Sequence, residues 1–185
     1  AHNATYGGAT INIDGDYLDG QTTTAWTPPP DGTFVQVSGQ AAFYRLAGGA
    51  PLYVSSWNAV GGAQPYLELL ASQFALLKPV PADGTFLETS TGGIYRVAGG
   101  APLWVSKWSV FGGPQPAIAI DQWDIDNISN PAAHLRSFPW NGTWLTTPSG
   151  QIYRVAGGMP FPIASWTPYG GVHSSVLIDP WDIAN

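Results

Sequence analysis

The sequence predicts an all-β, β-rich chain built from tandem repeats of about 50–58 residues, each made of β-hairpins with short helical turns. Three recurring phrases carry that prediction. YRLAGGAPLYVSSW, from Tyr44 to Trp57, returns as YRVAGGAPLWVSKW from Tyr95 to Trp108 and as YRVAGGMPFPIASW from Tyr153 to Trp166. A leading phrase precedes each of them, DGTFVQVS at Asp31, DGTFLETS at Asp83 and NGTWLTTP at Asn141, so the period is 52 and then 58 residues. A trailing phrase follows: VGGAQPYLELLASQF from Val60, FGGPQPAIAIDQWDID from Phe111 and YGGVHSSVLIDPWDIA from Tyr169. An extra copy of the trailing phrase, YGGATINIDGDYLDG, already stands at Tyr6.

These phrases divide the chain into an N-terminal half-repeat (1–30) and three repeats (31–82, 83–140 and 141–185). The chain begins and ends in the same kind of half. Closing a ring by pairing its two ends needs complementary pieces there, so an open array of stacked repeats is the preferred arrangement. The alternative is a closed pseudo-threefold β-domain, trefoil- or propeller-like, with an N-terminal cap.

Within a repeat, the leading phrase supplies a turn and a short strand. The runs IYRVA and PLWVS, rich in β-branched and aromatic residues, are joined by Gly99-Gly100, a pair suited to the positive φ angles of a two-residue hairpin turn. Pro51, Pro102 and Pro160 recur just past the Gly pair, where proline can begin a strand. Alternation sets Tyr95 and Val97 on one face, with Ile94 and Arg96 on the other. The trailing phrase predicts a capped helical turn. Asp121 and Asp179 stand as N-caps, Asp124 adds negative charge at the helix start, and Ile120 with Ile125 has hydrophobic-staple spacing. Pro180 sits at the first helical position. Ile13-Asp14 followed by Leu18 fits the same scheme, whereas Leu70 replaces the capping Asp in the first full repeat and predicts a frayed or altered turn there.

Composition narrows the function. The chain is 44% hydrophobic but only 10% charged, with net charge -6 and six scattered basic residues, which argues against nucleic-acid binding. Apolar runs are far shorter than the roughly 20 residues of a membrane span. No cysteine is present, so disulfides and thiolate chemistry are excluded. The opening AHNATYGG lacks an initiator Met and reads as a mature or excised boundary, with no signal peptide visible. Asn3, Asn127 and Asn141 begin glycosylation sequons. Low Lys, 23 Gly, 17 Pro and nine Trp suit a secreted β-rich module.

The long phrase, with its leading DGTF, resembles the tandem repeats of secreted or surface proteins of actinobacteria, some of which stand beside cell-wall or polysaccharide-active domains. The resemblance covers nearly the whole chain. It implies extracellular location and modularity, and it carries no activity with it.

For catalysis the sequence offers little. Most acids recur once per repeat in turn or cap positions, Glu68 and Glu88 stand outside that pattern, and neither a nucleophile elbow nor a phosphate-binding loop appears. The chain is read as non-enzymatic and as needing no cofactor. Asp14, Asp16 and Asp19 superficially suit calcium, with Asp121, Asp124 and Asp126 a looser echo, yet no EF-hand loop follows and no metal site is assigned. His2, His134 and His173 neither recur nor show ligand spacing.

Aromatic residues carry the remaining expectation, because sugar rings stack on exposed Trp and Tyr. Trp57, Trp108 and Trp166 occupy one position in every repeat and are expected in the core. Trp123 and Trp181 share a position that Asp16 holds in the half-repeat, so they are expected to face water. The recurring Tyr44-Arg45, Tyr95-Arg96 and Tyr153-Arg154 pairs, together with Trp104, complete the candidate ligand-binding set. A competing role for each Arg is an ion pair with a repeat Asp, such as Asp31 or Asp83, that knits neighbouring repeats. The expected task is attachment to a polysaccharide or cell-surface glycan; a structural spacer or adhesin stalk, and then a glycan-active enzyme, are the alternatives.

Overall fold

The structure, a computed structural model, describes residues 26–185 and, before them, the backbone of β1 (Asn3–Tyr6) and β2 (Ala9–Asn12), an antiparallel hairpin. Three similar units follow, each a four-stranded sheet. Unit 1 holds β3 (Phe34–Val37), β4 (Phe43–Ala47), β5 (Ala50–Val54) and β6 (Tyr66–Leu69). Unit 2 holds β7 (Phe86–Thr89), β8 (Ile94–Ala98), β9 (Ala101–Trp104) and β10 (Ile118–Ile120). Unit 3 holds β11 (Trp144–Thr146), β12 (Ile152–Ala156), β13 (Met159–Ile163) and β14 (Val176–Leu177). Each sheet lies within one of the segments 31–82, 83–140 and 141–185, and the chain is all-β with short helices α1 (Ala71–Phe74), α2 (Gln122–Asp126) and α3 (Trp181–Ala184).

The first three strands of a unit form an antiparallel meander, and the fourth returns to pair in parallel with the first, giving the order β5-β4-β3-β6 and its two equivalents. The second hairpin turns on the predicted Gly pair. Gly48 and Gly49 have φ of 58 and 81, and Gly99 and Gly100 have φ of 55 and 76. Asp31 and Asp83 brace the same turns, since the N–H groups of Gly49 and Gly99 donate to their Oδ1 atoms at 2.8 and 2.6 Å. These aspartates therefore serve their own unit and are not the ion-pair partners of Arg45 and Arg96.

The parallel fourth strand requires the chain to cross one sheet face. The crossing is a single 3-10 turn that begins at the recurrent Trp and ends at a left-handed Gly. Trp57 packs on Phe34 and Phe43, Trp108 on Phe86, and Trp166 on Trp144, with ring centroids 4.6 to 5.5 Å apart. The Trp of each unit is thus a half-buried lid over the back face of its sheet, close to the expected core role.

Strand alternation gives the other face of each sheet a different job. Leu87, Val97 and Ile120 on the front face of unit 2 form one core with Ala47 and Leu52 from the back face of unit 1. Leu145, Val155, Val176 and Ile178 of unit 3 do the same with Ala98 and Leu103 of unit 2. Each sheet is therefore a layer whose back face receives the front face of its successor. In unit 1 the front-face core of Val35, Leu46, Leu69 and Leu77 is joined by Trp26. Burying a Leu such as Leu52, which is 1% exposed, stabilises a seam by about 2 kcal/mol.

Candidate functional site: the unit junctions

The seams place most of the candidate aromatic residues, and the polar chemistry there begins at an edge strand. In unit 1 the outward N–H groups of β5 have no strand neighbour, and unpaired backbone donors at an edge demand acceptors. Unit 2 supplies them from its capped helix. Asp121 Oδ2 accepts from Ser55 N (2.7 Å) and Ser55 Oγ (2.6 Å), while Asp124 Oδ1 accepts from Tyr53 N (3.1 Å). The second seam repeats this: Asp179 Oδ2 accepts from Ser106 N (2.8 Å) and Ser106 Oγ (2.6 Å), and Asp182 Oδ1 from Trp104 N (2.9 Å).

The predicted helix caps are present, but they use only one oxygen. Asp121 Oδ1 accepts from Trp123 N at 2.9 Å, and Asp179 Oδ1 from Trp181 N at 3.0 Å. The other oxygen of each carboxylate reaches into the preceding unit. Asp124 is likewise more than a favourable charge at a helix start: it is fully buried, and burial pushes its carboxyl up to about 8, with nearby Asp121 adding to the rise and the Tyr53 N–H opposing it. Burial raises Asp182 to about 7 in the same way, against the Trp104 N–H and reinforced by Asp179. Asp179 goes down, because hydrogen bonds from Ser106, Trp181 and Lys107 outweigh the burial that works to raise it. The Asp-x-x-Asp phrase is thus a two-pronged latch. The altered turn expected at Leu70 is a formed helix, α1, in which Gln73 Oε1 turns back to accept from Leu70 N at 2.8 Å.

Trp123 leaves α2 beside the latch and sets its ring against Tyr53, 4.8 Å between centroids, with Tyr44 behind at 6.0 Å. It is half-buried at the seam, so its expected outward position is only partly met. Trp181, in the same place on unit 3, is 47% exposed, and Trp104, the counterpart of Tyr53, is 36% exposed with Tyr95 edge-on at 5.3 Å. Among the described residues no ring contact joins Trp104 and Trp181, although both flank one latch. Tyr44 and Tyr95 are half-buried, and burial raises both phenols above their usual value.

The arginines do not join these tyrosines, because consecutive strand residues point to opposite faces. Arg45 lies 4.9 Å over the Phe34 ring and donates to Gly32 O (3.3 Å) and, across the seam, to Ala119 O (2.8 Å). It does knit two units, but through a backbone carbonyl. Arg96 sits over Phe86 and Phe111, and Arg154 over Trp144 and Tyr169. Burial lowers the guanidinium pKa of Arg45 and Arg96. Tyr153 packs against the core of the second seam. The Tyr and Arg of a pair therefore stand on opposite faces of their strand.

Two shallow cavities accompany the three units. One of about 430 Å³ straddles the first seam, between Ala59–Gly61 and Glu88–Ser90; the other, about 480 Å³, lies on the back face of unit 3 around Arg154, Phe161 and Tyr169. Among the described residues no cluster of three acidic or His side chains could hold a metal ion. Asp14, Asp16, Asp19 and His2, and with them the calcium question and the first cap, lie outside the described residues. His134 Nδ1 donates to Pro79 O (3.1 Å) and its ring lies edge-on to Tyr44 and Phe74, while His173 Nε2 donates to Tyr169 O (2.8 Å) and its ring stacks on Trp144. No helix among the described residues is long and apolar enough to cross a membrane.

No family model matches the chain, and comparisons with curated proteins and with solved structures return no match. Sequence reasoning missed the latch. Its signal was available in the pairing of each Asp-x-x-Asp with a Tyr-x-Ser or Trp-x-Ser one unit earlier, at Tyr53 to Ser55 and Trp104 to Ser106.

Proposed function

We propose that the chain is a non-catalytic, extracellular repeat module arranged as an open stack, and that it attaches to a polysaccharide or cell-surface glycan along the rim of its seams. The observation that carries the glycan reading is the pair Trp104 and Trp181, two large aromatic residues exposed on either side of one latch. Exposed indole faces flanked by backbone polar groups match the apolar face and hydroxyl rim of a sugar ring. Repetition of a weak site along a stack raises avidity without any new contact. The likeness of its long phrase to repeats of actinobacterial surface proteins supports the location. The successive front-to-back cores support the open stack.

Titration with soluble polysaccharides and cell-wall fragments, followed by Trp fluorescence, tests the glycan reading. A saturable change that disappears in a folded Trp104→Ala, Trp181→Ala double variant is the expected result; no response to any glycan from the intact chain refutes it. A structural spacer is the second reading, favoured by the use of Arg45 and all four latch aspartates in joining one unit to the next. Small-angle scattering tests the stack itself, since a row of layers has a larger radius of gyration than a closed globule of the same length.

A further inference from the structure

The two seams use one set of parts, so the units on either side of them can be compared position by position. The receiving strand reads Ala-Pro-Leu-Tyr-Val-Ser at 50–55 and Ala-Pro-Leu-Trp-Val-Ser at 101–106, but Met-Pro-Phe-Pro-Ile-Ala at 159–164. Two of the three donors that the latch grips are gone, and only the backbone N–H of the serine position remains. Pro162 stands where Tyr53 and Trp104 offer an N–H, and proline has none. Ala164 stands where Ser55 and Ser106 offer a hydroxyl. Met159 replaces Ala50 and Ala101, which are 0% and 1% exposed beneath the next unit, and so adds bulk where a layer would have to close.

The latching helix shows the reciprocal change. Asp121, Trp123 and Asp124 of unit 2, and Asp179, Trp181 and Asp182 of unit 3, correspond to Leu70, Ser72 and Gln73 in unit 1. Both carboxylates and the hooking Trp are gone together. The Gln73 side chain is spent on the Leu70 N–H of its own helix.

We infer that the Asp-x-Trp-Asp latch is the code by which one unit recognises another, and that Leu70, Ser72 and Gln73 at one face and Met159, Pro162 and Ala164 at the other are paired stops that prevent a second copy of this chain from continuing the stack. Pro160 and Pro162 together remove two outward donors from β13, which also disarms it as a template for edge-to-edge pairing. The inference rests on the open-stack reading and is independent of glycan binding.

Two full-length variants test it. One carries Met159→Ala, Phe161→Leu, Pro162→Trp, Ile163→Val and Ala164→Ser; the other carries Leu70→Asp, Ser72→Trp and Gln73→Asp. By light scattering after gel filtration, the unmodified chain and each variant alone run at the 19.6 kDa mass, and the two variants mixed in equal amounts run at twice that mass. A chain combining both sets grows into longer species as concentration rises. An unmodified chain that already joins end to end overturns the inference, and so does a mixture that stays monomeric while melts and circular dichroism show both variants folded. The converse experiment moves the stop inside the chain: Tyr53→Pro with Ser55→Ala should cut hydrogen-exchange protection across β5 and α2 at least tenfold, and unchanged protection refutes the code. Failure of the open stack shows separately, as a closed globule in scattering.

Discussion

Raising the pH should loosen the seams, and Asp124 is the residue through which the effect is largest. Its carboxyl is fully buried, and among the described residues Oδ1 accepts only the Tyr53 N–H and Oδ2 has no hydrogen-bond partner. The ionised form is therefore poorly served by the fold. With a pKa of 3.8 in the open chain and about 8 in the folded one, the native state holds a proton that the unfolded chain has lost throughout that interval. Stability falls as pH rises through it, by up to about 1.4 kcal/mol per pH step of one, or roughly 3 to 5 °C in Tm for a chain of this size. Asp182, raised to about 7, acts in the same sense until that point. Two groups act oppositely at lower pH. His134, lowered by burial, withdraws stability as pH falls below its ordinary 6.5, and the depressed Asp179 withdraws its share only once the pH falls below 3.8. The clean window thus runs from about 6.5 to about 8. Calorimetric melts across it should fall in the parent chain and flatten in an Asp124→Asn, Asp182→Asn double variant, which keeps each acceptor and removes the charge. A parent Tm that is level or rising across the window, or a double variant with the parental slope, would refute the reasoning.

Equivalent positions in different units supply sharper controls. Leu52→Ala should cost about 2 to 5 kcal/mol in denaturant melts, since it empties a seam, whereas Phe161→Ala at the corresponding exposed site of unit 3 should change stability by under about 1 kcal/mol. Gly99→Ala places a methyl 2.6 Å from Trp140 N and 2.9 Å from Pro139 Cβ at a φ of 55, and should cost about 3 kcal/mol or more; Gly157→Ala, at a φ of 60 with nothing within 4 Å, should show only the backbone strain of about 1 kcal/mol. Ser106→Ala removes the 2.6 Å hydroxyl bond to Asp179 and should lower stability by about 1 to 2 kcal/mol, with faster amide exchange at the second seam as the readout.

What was legible in the sequence was what each repeat does by itself. The Gly48-Gly49 hairpin and the caps at Asp121 and Asp179 follow from local backbone geometry and occur where the phrases place them, while Pro51 stands second in its strand, which already begins at Ala50. The parallel return of β6 beside β3 was not legible, because nothing in the residues from Ser55 to Pro65 specifies which edge the strand will join. The latch escaped for a related reason. A carboxylate has two oxygens, and capping accounts for Asp121 with one of them, leaving the bond from Ser55, 66 residues away, without a local trace. Alternation separates Tyr44 from Arg45: the ring turns toward Tyr53 on one face, and the guanidinium lies over Phe34 on the other, where it reaches Ala119 O of the next unit.

The distance along the chain between latch and strand also sets an order of events on the ribosome. Tyr53 waits for Asp124, 71 residues later, and Trp104 for Asp182, 78 residues later. At about 5 to 20 residues per second, a nascent unit stands with bare edge donors for roughly 4 to 15 s before its successor can close over them. Units 1 and 2 are each finished by the tail of the unit made after them, so a message cut short between Ile120 and Val176 would release a chain whose newest complete sheet is still unzipped along Trp104 to Ser106.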